Sequence, residues 1–362
     1  MAPRKVSPLA VLTAPIRLAL FDPRVTCPLL VALLYYPDKL RSILPAQLHQ
    51  YVTSSTFIRI LKACLALKVV TGVSSKLSDM ALNNWTGKTT FLKSQEIVLI
   101  TGGASGIGEL MAKEFAANGV KVVVLDLNPP KVPFPAGIHF YEADVTSSAQ
   151  IASAAAEIRK AHGNGPTILI NNAGIGGGRT ILTEPEQAIR KTFEVNIIAH
   201  FLTVKEFLPE MIERNHGHVV TIASMSSFVV PAQLVDYACT KAALIAFNEG
   251  LASELRSRYK APKVKTTQKA DEPNRIVHPS WIRTPLIEPL TSHPDFKDGV
   301  LEPEEVSGAI VKQVLSGKSA QMILPGHLAR LRGVRGWPTW LQSIVWKSQE
   351  GTLDLFEELR SI

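Results

Sequence analysis

The sequence predicts an α/β protein built on a doubly wound parallel sheet. Three observations carry that prediction. From Glu96 onward, short continuous apolar runs alternate with helical segments. The first of these runs opens directly into a glycine-rich turn, TGGASGIG, at residues 101–108. Buried runs of this kind belong to strands covered on both faces, which is the parallel-sheet condition. At 362 residues the chain has room for one such domain plus an appendage.

The elements come in order along the chain. Residues 97–100 form the first apolar run, and a helix over about 107–118 is stopped by Gly119. Residues 121–125 are β-branched and form the second strand. Residues 137–141 and 167–170 supply the third and fourth, separated by an alanine-rich helix over 147–161. One long helix is expected over 186–215, kinked or ended in part by Pro209. Residues 218–222 are the fifth strand, and 234–259 a second long helix. Val264 to Thr267 and Ile276 to His278 read as two halves of a sixth strand. The octapeptide QKADEPNR (268–275) lies between them. A charged, proline-containing stretch cannot run through a central parallel strand, so it must bulge out as a loop. We read it as an insertion from alternative splicing or gene annotation. Its deletion is expected to raise the melting temperature and the cofactor affinity; a deletion variant that behaves equally or worse refutes that reading.

The first 90 residues differ in composition. They hold 11 Lys/Arg against 3 Asp/Glu, while the remainder holds 28 of each, so this quarter carries all of the net charge of +8. Residues 25–36 are uncharged but too short for a bilayer core, with Pro28 inside. Residues 57–73 carry Arg59, Lys62 and Lys68, which are costly at a bilayer centre. The pattern suits a hairpin dipping into one leaflet, or interfacial helices with snorkelling lysines. A helical subdomain packed on the enzyme is the alternative. The segment is therefore expected to be a basic, apolar, helical, membrane-associating extension over 1–90. A nucleic-acid partner is excluded, because the cations alternate with aliphatics rather than with stacking aromatics. A GKTT run at 87–90 lacks the earlier glycine of a phosphate loop, with Leu82 in its place. Early prolines (Pro3, Pro8, Pro15) break up any signal-peptide core. Cys27, Cys64 and Cys239 show no pairing or metal-ligand spacing, so no metal is expected and a reduced, cytosol-facing protein fits.

The glycine turn specifies a dinucleotide site. Gly102, Gly106 and Gly108 permit a tight turn and close backbone approach to a pyrophosphate, with Ser105 and Ile107 between them at the helix N-terminus. Asp126 ends the second strand, where a carboxylate accepts hydrogen bonds from ribose hydroxyls. Its charge repels a 2′-phosphate, so NAD is preferred and NADP is less favoured. Asp144, beside Val145 at the end of the third strand, is placed to cap the adenine edge; capping the next helix is its alternative task, shared with Ser147.

Downstream, Ser224 precedes Tyr237 by thirteen residues and Lys241 follows it by four. Tyr237 and Lys241 therefore share a helix face. A free phenol titrates near pH ~10, and an ammonium beside it favours the phenolate; a lowering of about three units requires roughly 4 kcal/mol of such interaction. Ser224 is placed to hydrogen-bond the reacting oxygen. The set predicts a nicotinamide-dependent oxidoreductase with a tyrosine acid/base.

Residues from about 97 to 285 resemble the short-chain dehydrogenase/reductase family, with its TGxxxGxG and YxxxK signatures and Rossmann-type sheet. The segments TFEVN (192–196), AHF (199–201), HGHV (216–219) and LEPEEV (301–306) resemble its membrane- and lipid-droplet-associated 17β-hydroxysteroid and retinol dehydrogenase branch. The resemblance implies that Asn196 holds a water near Lys241 and completes a Ser–Tyr–Lys–Asn tetrad. It also implies that Asn172 lies beside the nicotinamide ribose and that Ile282 and Thr284 contact the carboxamide end. It departs at His278-Pro279-Ser280, where the family usually has Pro-Gly; the serine adds bulk near the nicotinamide.

The domain layout is thus 1–90, a catalytic 91–325 and a C-terminal amphipathic tail over 326–362. The tail's Trp337, Trp340, Leu341, Ile344 and Val345 form a stripe at helical spacing, with Arg330, Arg332, Arg335 and Lys347 nearby. A membrane interface or a lid over a hydrophobic substrate is one reading; packing on the core or in a homodimer is the other. The expected activity is hydride exchange between NAD(H) and a lipophilic alcohol, ketone or aldehyde at the endoplasmic reticulum or lipid droplet, catalytic domain toward the cytosol. A catalytically weak membrane scaffold and an NADP-dependent carbonyl reductase are the alternatives.

Overall fold

The computed structural model describes residues 22–52, 54–82, 85, 92–266, 277–291, 296, 299–317 and 322–349. The chain divides into two compact units, one ending at Asp79 and one beginning at Met80.

In the first unit, α1 (Pro23–Tyr35) starts at Asp22, whose carboxylate accepts the Arg24 amide at 2.9 Å, and runs on through Pro28. Then come α2 (Pro37–Ile43), α3 (His49–Val52) and the 28-residue α4 (Ser55–Leu82). Leu30, Leu33, Val52 and Leu61 are buried together, with Phe57, Ile58 and Leu65 packed against them. That is one side of α4. Leu67, Val70, Val73 and Leu77 are exposed further along it. Among the described residues no helix is long and apolar enough to cross a membrane.

The second unit holds a six-stranded parallel sheet in the order β3-β2-β1-β4-β5-β6. Its strands are β1 (Ile97–Thr101), β2 (Lys121–Asp126), β3 (Ile138–Glu142), β4 (Ile168–Asn171), β5 (Gly217–Thr221) and β6 (Val264–Thr266). All residues of β1, β4 and β5 are buried, as the continuous apolar runs require. One face is covered by α5 (Gly106–Ala117) and α11 (Pro303–Leu315), through Met111, Phe115, Val306 and Ile310. The other is covered by α6 (Ser148–His162), α8 (Ala199–Arg214) and α9 (Val235–Ser257), through Ile158, Phe207 and Leu251. Ser147 caps α6, its hydroxyl accepting the Gln150 amide, and Gly163 ends it in the left-handed region at φ 77°.

Where the sequence predicts one long helix, the structure has three segments. α7 (Glu186–Phe193) passes into a π turn (Glu194–Ile198) and then into α8, which runs on through Pro209. The interruption lies at Asn196 rather than at the proline. Asn196 is fully buried and bonds the backbone of Ile175, a tertiary demand that widens the turn.

The two halves of the sixth strand take adjacent positions along β5. β6 pairs with its start, Val219 opposite Thr266. β7 (Val277–Pro279) reaches its far end through a parallel bridge between Ile222 and Val277. Three steps along β5 thus correspond to eleven along its partner, eight more than a continuous strand uses. The octapeptide 268–275 lies outside the described residues. β7 also pairs with β8 (Met322–Leu324), a three-residue strand the sequence did not announce. A short α10 (Glu288–Thr291) precedes α11, and a 3-10 segment (Gly326–Gly336) leads into α12 (Thr339–Lys347).

Candidate active site

The C-terminal ends of the parallel strands, where the strand order reverses between β1 and β4, are where such a sheet binds ligands. There the β1–α5 turn is held tightly. Gly102 takes φ 62°, and a Cβ on it would meet Ala173 Cα at 2.8 Å. A Cβ on Gly108 would collide with the Gly102 carbonyl. Ser105 N-caps α5 with no side-chain capping bond, leaving the helix's first amides facing the crevice.

The crevice is about 390 Å³ and is lined by Gly102, Ser105, Gly106, Ile107, Asp126, Asp144, Val145, Asn172, Tyr237, Lys241, Ile282 and Thr284. All but one of the expected cofactor residues are therefore brought together. Gly108 sits beneath the turn, against Asn172. Asn172 has a task the resemblance did not assign: its amide donates to the carbonyls of Thr101 (3.0 Å) and Gly102 (2.9 Å), stapling the turn to the end of β4. Asp126 accepts the amides of Ala104 (3.0 Å) and Asn128 (3.1 Å), which fixes its carboxylate at the rim. Asp144 accepts from the Thr146 amide and hydroxyl at 2.9 and 2.7 Å, with Lys191 at 3.4 Å. Burial pushes its carboxyl up, but the Thr146 and Lys191 interactions outweigh that and hold it low. The capping of α6 falls to Ser147, so Asp144 is left to the crevice. The glycine cradle, the uncapped helix start and the rim carboxylate fit a dinucleotide.

Ser224 leaves β5 in extended conformation and caps a 3-10 turn, Met225–Ser227. Tyr237, on the first turn of α9, lines both the crevice and a neighbouring pocket of about 470 Å³ that also contains Ser224. Contrary to the expected lowering by Lys241, burial raises the Tyr237 pKa, with Ser224 opposing. Burial also pulls Lys241 down to about 8. The Lys241 ammonium donates to the Ile222 carbonyl at 2.9 Å and stands 5.5 Å from the phenol ring centre. Desolvation then disfavours both charged forms.

Asn196 lines neither pocket. Its carbonyl accepts the Ile175 amide at 2.8 Å, and its amide donates to the Ile175 carbonyl (2.8 Å) and Thr240 (3.2 Å). Its Oδ1 and Lys241 Nζ each lie 3.5 Å from the Cβ position of Gly174, so it adjoins the lysine while holding the backbone beside it. Two histidines to which the sequence reading gave no role lie close by. His200 is buried beside Phe247 and held at about 3 by burial and by Lys241. His278 bonds the Ser224 carbonyl at 2.8 Å. Only packing identifies either. Among the described residues no metal cluster occurs.

The tail divides its stripe. Trp337 and Val345, with Trp346, pack on Met225, Phe228 and Val334, whereas Trp340 and Ile344 are exposed. Val345 and Leu331 also line the larger pocket.

The fold and its glycine-turned crevice define a nucleotide-binding α/β protein, with Tyr237 lining both the crevice and the pocket that contains Ser224. Comparison with known proteins agrees. The short chain dehydrogenase family model matches residues 96–265. Dehydrogenase RED2 of Cochliobolus heterostrophus is 44% identical over 200 residues, covering 55% of this chain and 75% of that protein. Estradiol 17-beta-dehydrogenase 11 of Rattus norvegicus is 35% identical over 245 residues, covering 65% and 77%. The structure of 3-ketoacyl-(acyl-carrier-protein) reductase from Brucella melitensis, complexed with NADH, aligns with TM-score 0.55 at 24% identity, covering 64% of this chain and 97% of that one. The chain belongs to the short-chain dehydrogenase/reductase family, as an NAD(P)-dependent oxidoreductase acting on CH–OH groups.

Proposed function

We propose that the protein interconverts a lipophilic alcohol, of steroid, retinoid or lipid type, with its ketone or aldehyde, using NAD(H). The observation that carries this is the 470 Å³ pocket meeting the nucleotide crevice at Tyr237. Apart from Ser224 and Tyr237, its walls are largely apolar, including Val229, Leu234, Trp281, Leu286, Leu328 and Leu331. Tyr237 gives or takes the proton of the substrate oxygen, and Ser224 holds that oxygen. Lys241, held by the Ile222 carbonyl, lines the crevice where the ribose would lie, while Asn196 fixes the 175 backbone next to it. When bound, the nicotinamide supplies or accepts the hydride.

Asp126 supports NAD over NADP, because a 2′-phosphate would stand against its carboxylate. NADH is expected to bind roughly 10²-fold more tightly than NADPH, and Asp126→Ala to remove most of that difference. A fluorescence titration of the full-length chain in mild detergent, followed by a panel of lipophilic alcohols, tests both points. Equal binding of the two cofactors would overturn the preference; binding without turnover of any alcohol would favour the scaffold reading.

We also propose that the first unit lies on a membrane or lipid-droplet surface at the endoplasmic reticulum, with the catalytic domain facing the cytosol. Exposed Leu67, Val70, Val73 and Leu77 on α4, beside Lys62, Lys68 and Lys76, support an interfacial rather than a spanning helix. Flotation with anionic and neutral vesicles tests it; equal recovery of a 91–362 truncation would overturn it.

A further inference from the structure

The reacting oxygen is held by Ser224, so whatever fixes Ser224 fixes the geometry of the reaction. Its side chain accepts the Ser226 amide at 3.2 Å, which sets the local turn. Its neighbours are tied by main-chain contacts: Ala223 donates to the Val277 carbonyl at 2.9 Å, and Ile222 bridges Val277. The Ser224 carbonyl accepts the Ser227 amide at 3.0 Å within its own turn, and from outside that turn it is held by a side chain, His278 Nδ1 at 2.8 Å.

A carbonyl only accepts, so Nδ1 carries the proton and Nε2 is left with a lone pair. That Nε2 is buried with no partner among the described residues, and the ring is fully buried against Phe228 at 4.5 Å. Burying an unpaired nitrogen is unfavourable. Phenylalanine would fill the same volume without it, so packing alone does not account for a histidine here. Burial holds the imidazole at about 4, so it stays neutral under working conditions. Position adds to this: His278 stands on β7, the far half of the divided strand, and joins it to the residue that contacts substrate.

We propose that His278 is a positioning residue, whose Nδ1–H locks the Ser224 backbone and so aims the Ser224 hydroxyl at the oxygen that Tyr237 protonates. The proposal rests on the dehydrogenase reading above. In the full-length chain, His278→Phe is expected to lower kcat roughly 10- to 100-fold, as small misplacements of reacting groups do, while the NADH Kd stays within about twofold. His278→Asn, which returns an N–H near the Nδ1 position, should recover most of the rate. In a Ser224→Ala background, His278→Phe should change the residual rate by less than about twofold, because the group it positions is gone.

The same loss in both backgrounds, no recovery by asparagine, or a parallel loss of NADH binding would overturn the proposal and leave the dehydrogenase reading intact. Failure of the unaltered chain to turn over any alcohol of the panel would overturn both.

Discussion

Replacing Tyr237 by phenylalanine is expected to lower turnover of any lipophilic alcohol or ketone by roughly 10³-fold or more, with NADH affinity unchanged. Tyr237 is the titratable residue among those that line both the crevice and the substrate pocket, and the substitution removes one oxygen from a ring that stays packed in place. Stopped-flow hydride transfer and NADH titration on the same preparation separate chemistry from binding. Retained turnover would remove Tyr237 from the acid/base role and revive the scaffold reading. The pH dependence has a defined direction. With the phenol raised by burial, Tyr237 is protonated at neutral pH. Carbonyl reduction, which draws on that proton, should hold its rate at neutral pH and fall in base. Alcohol oxidation, which needs the phenolate, should rise with pH over the same range.

Much of the fold was legible because buried parallel strands leave a plain trace. The runs beginning at Ile97, Lys121 and Thr167 have few alternative homes, and the glycine turn requires a helix directly after the first of them. The turn glycines were readable for the same reason: close backbone approach admits only glycine at Gly102 and Gly108. The π turn was not readable. Residues 194–198 keep a helical apolar pattern, and only the bond from Asn196 to Ile175, twenty-one residues away, calls for the wider turn. Lys241 misled in a similar way. Its spacing from Tyr237 is as expected, but its ammonium is claimed by the Ile222 carbonyl, which no local pattern encodes. His278 lies beyond the charged octapeptide, so its approach to Ser224 depends on the strand resuming in register on the far side of that stretch.

The three buried histidines among the described residues make the protein acid-labile at a pH where few carboxylates titrate. His200, His218 and His278 are each at most 5% exposed, and burial lowers them to about 3, about 4 and about 4. An unfolded histidine titrates near pH ~6.5. Between that value and about 4 the unfolded chain takes up protons that the folded chain refuses, so stability is intact above ~6.5 and declines as pH falls. At pH ~5 each histidine costs about 2 kcal/mol, together roughly 6, comparable with the whole stability of many domains. The Glu96–His216 pair opposes this only in part. Its hydrogen bond to Glu96 raises His216, whose contribution is therefore fully present below ~6.5 and fades as pH rises. The melting temperature should thus drop steeply between pH ~7 and ~5, well before the Asp and Glu range. Replacing His200 with a non-titrating residue should flatten that slope by about one third, since three equal groups share it. A melting temperature level across this interval would show that the imidazoles are solvated enough to charge in place, and the tight packing of His278 beneath Ser224 would then have to be abandoned.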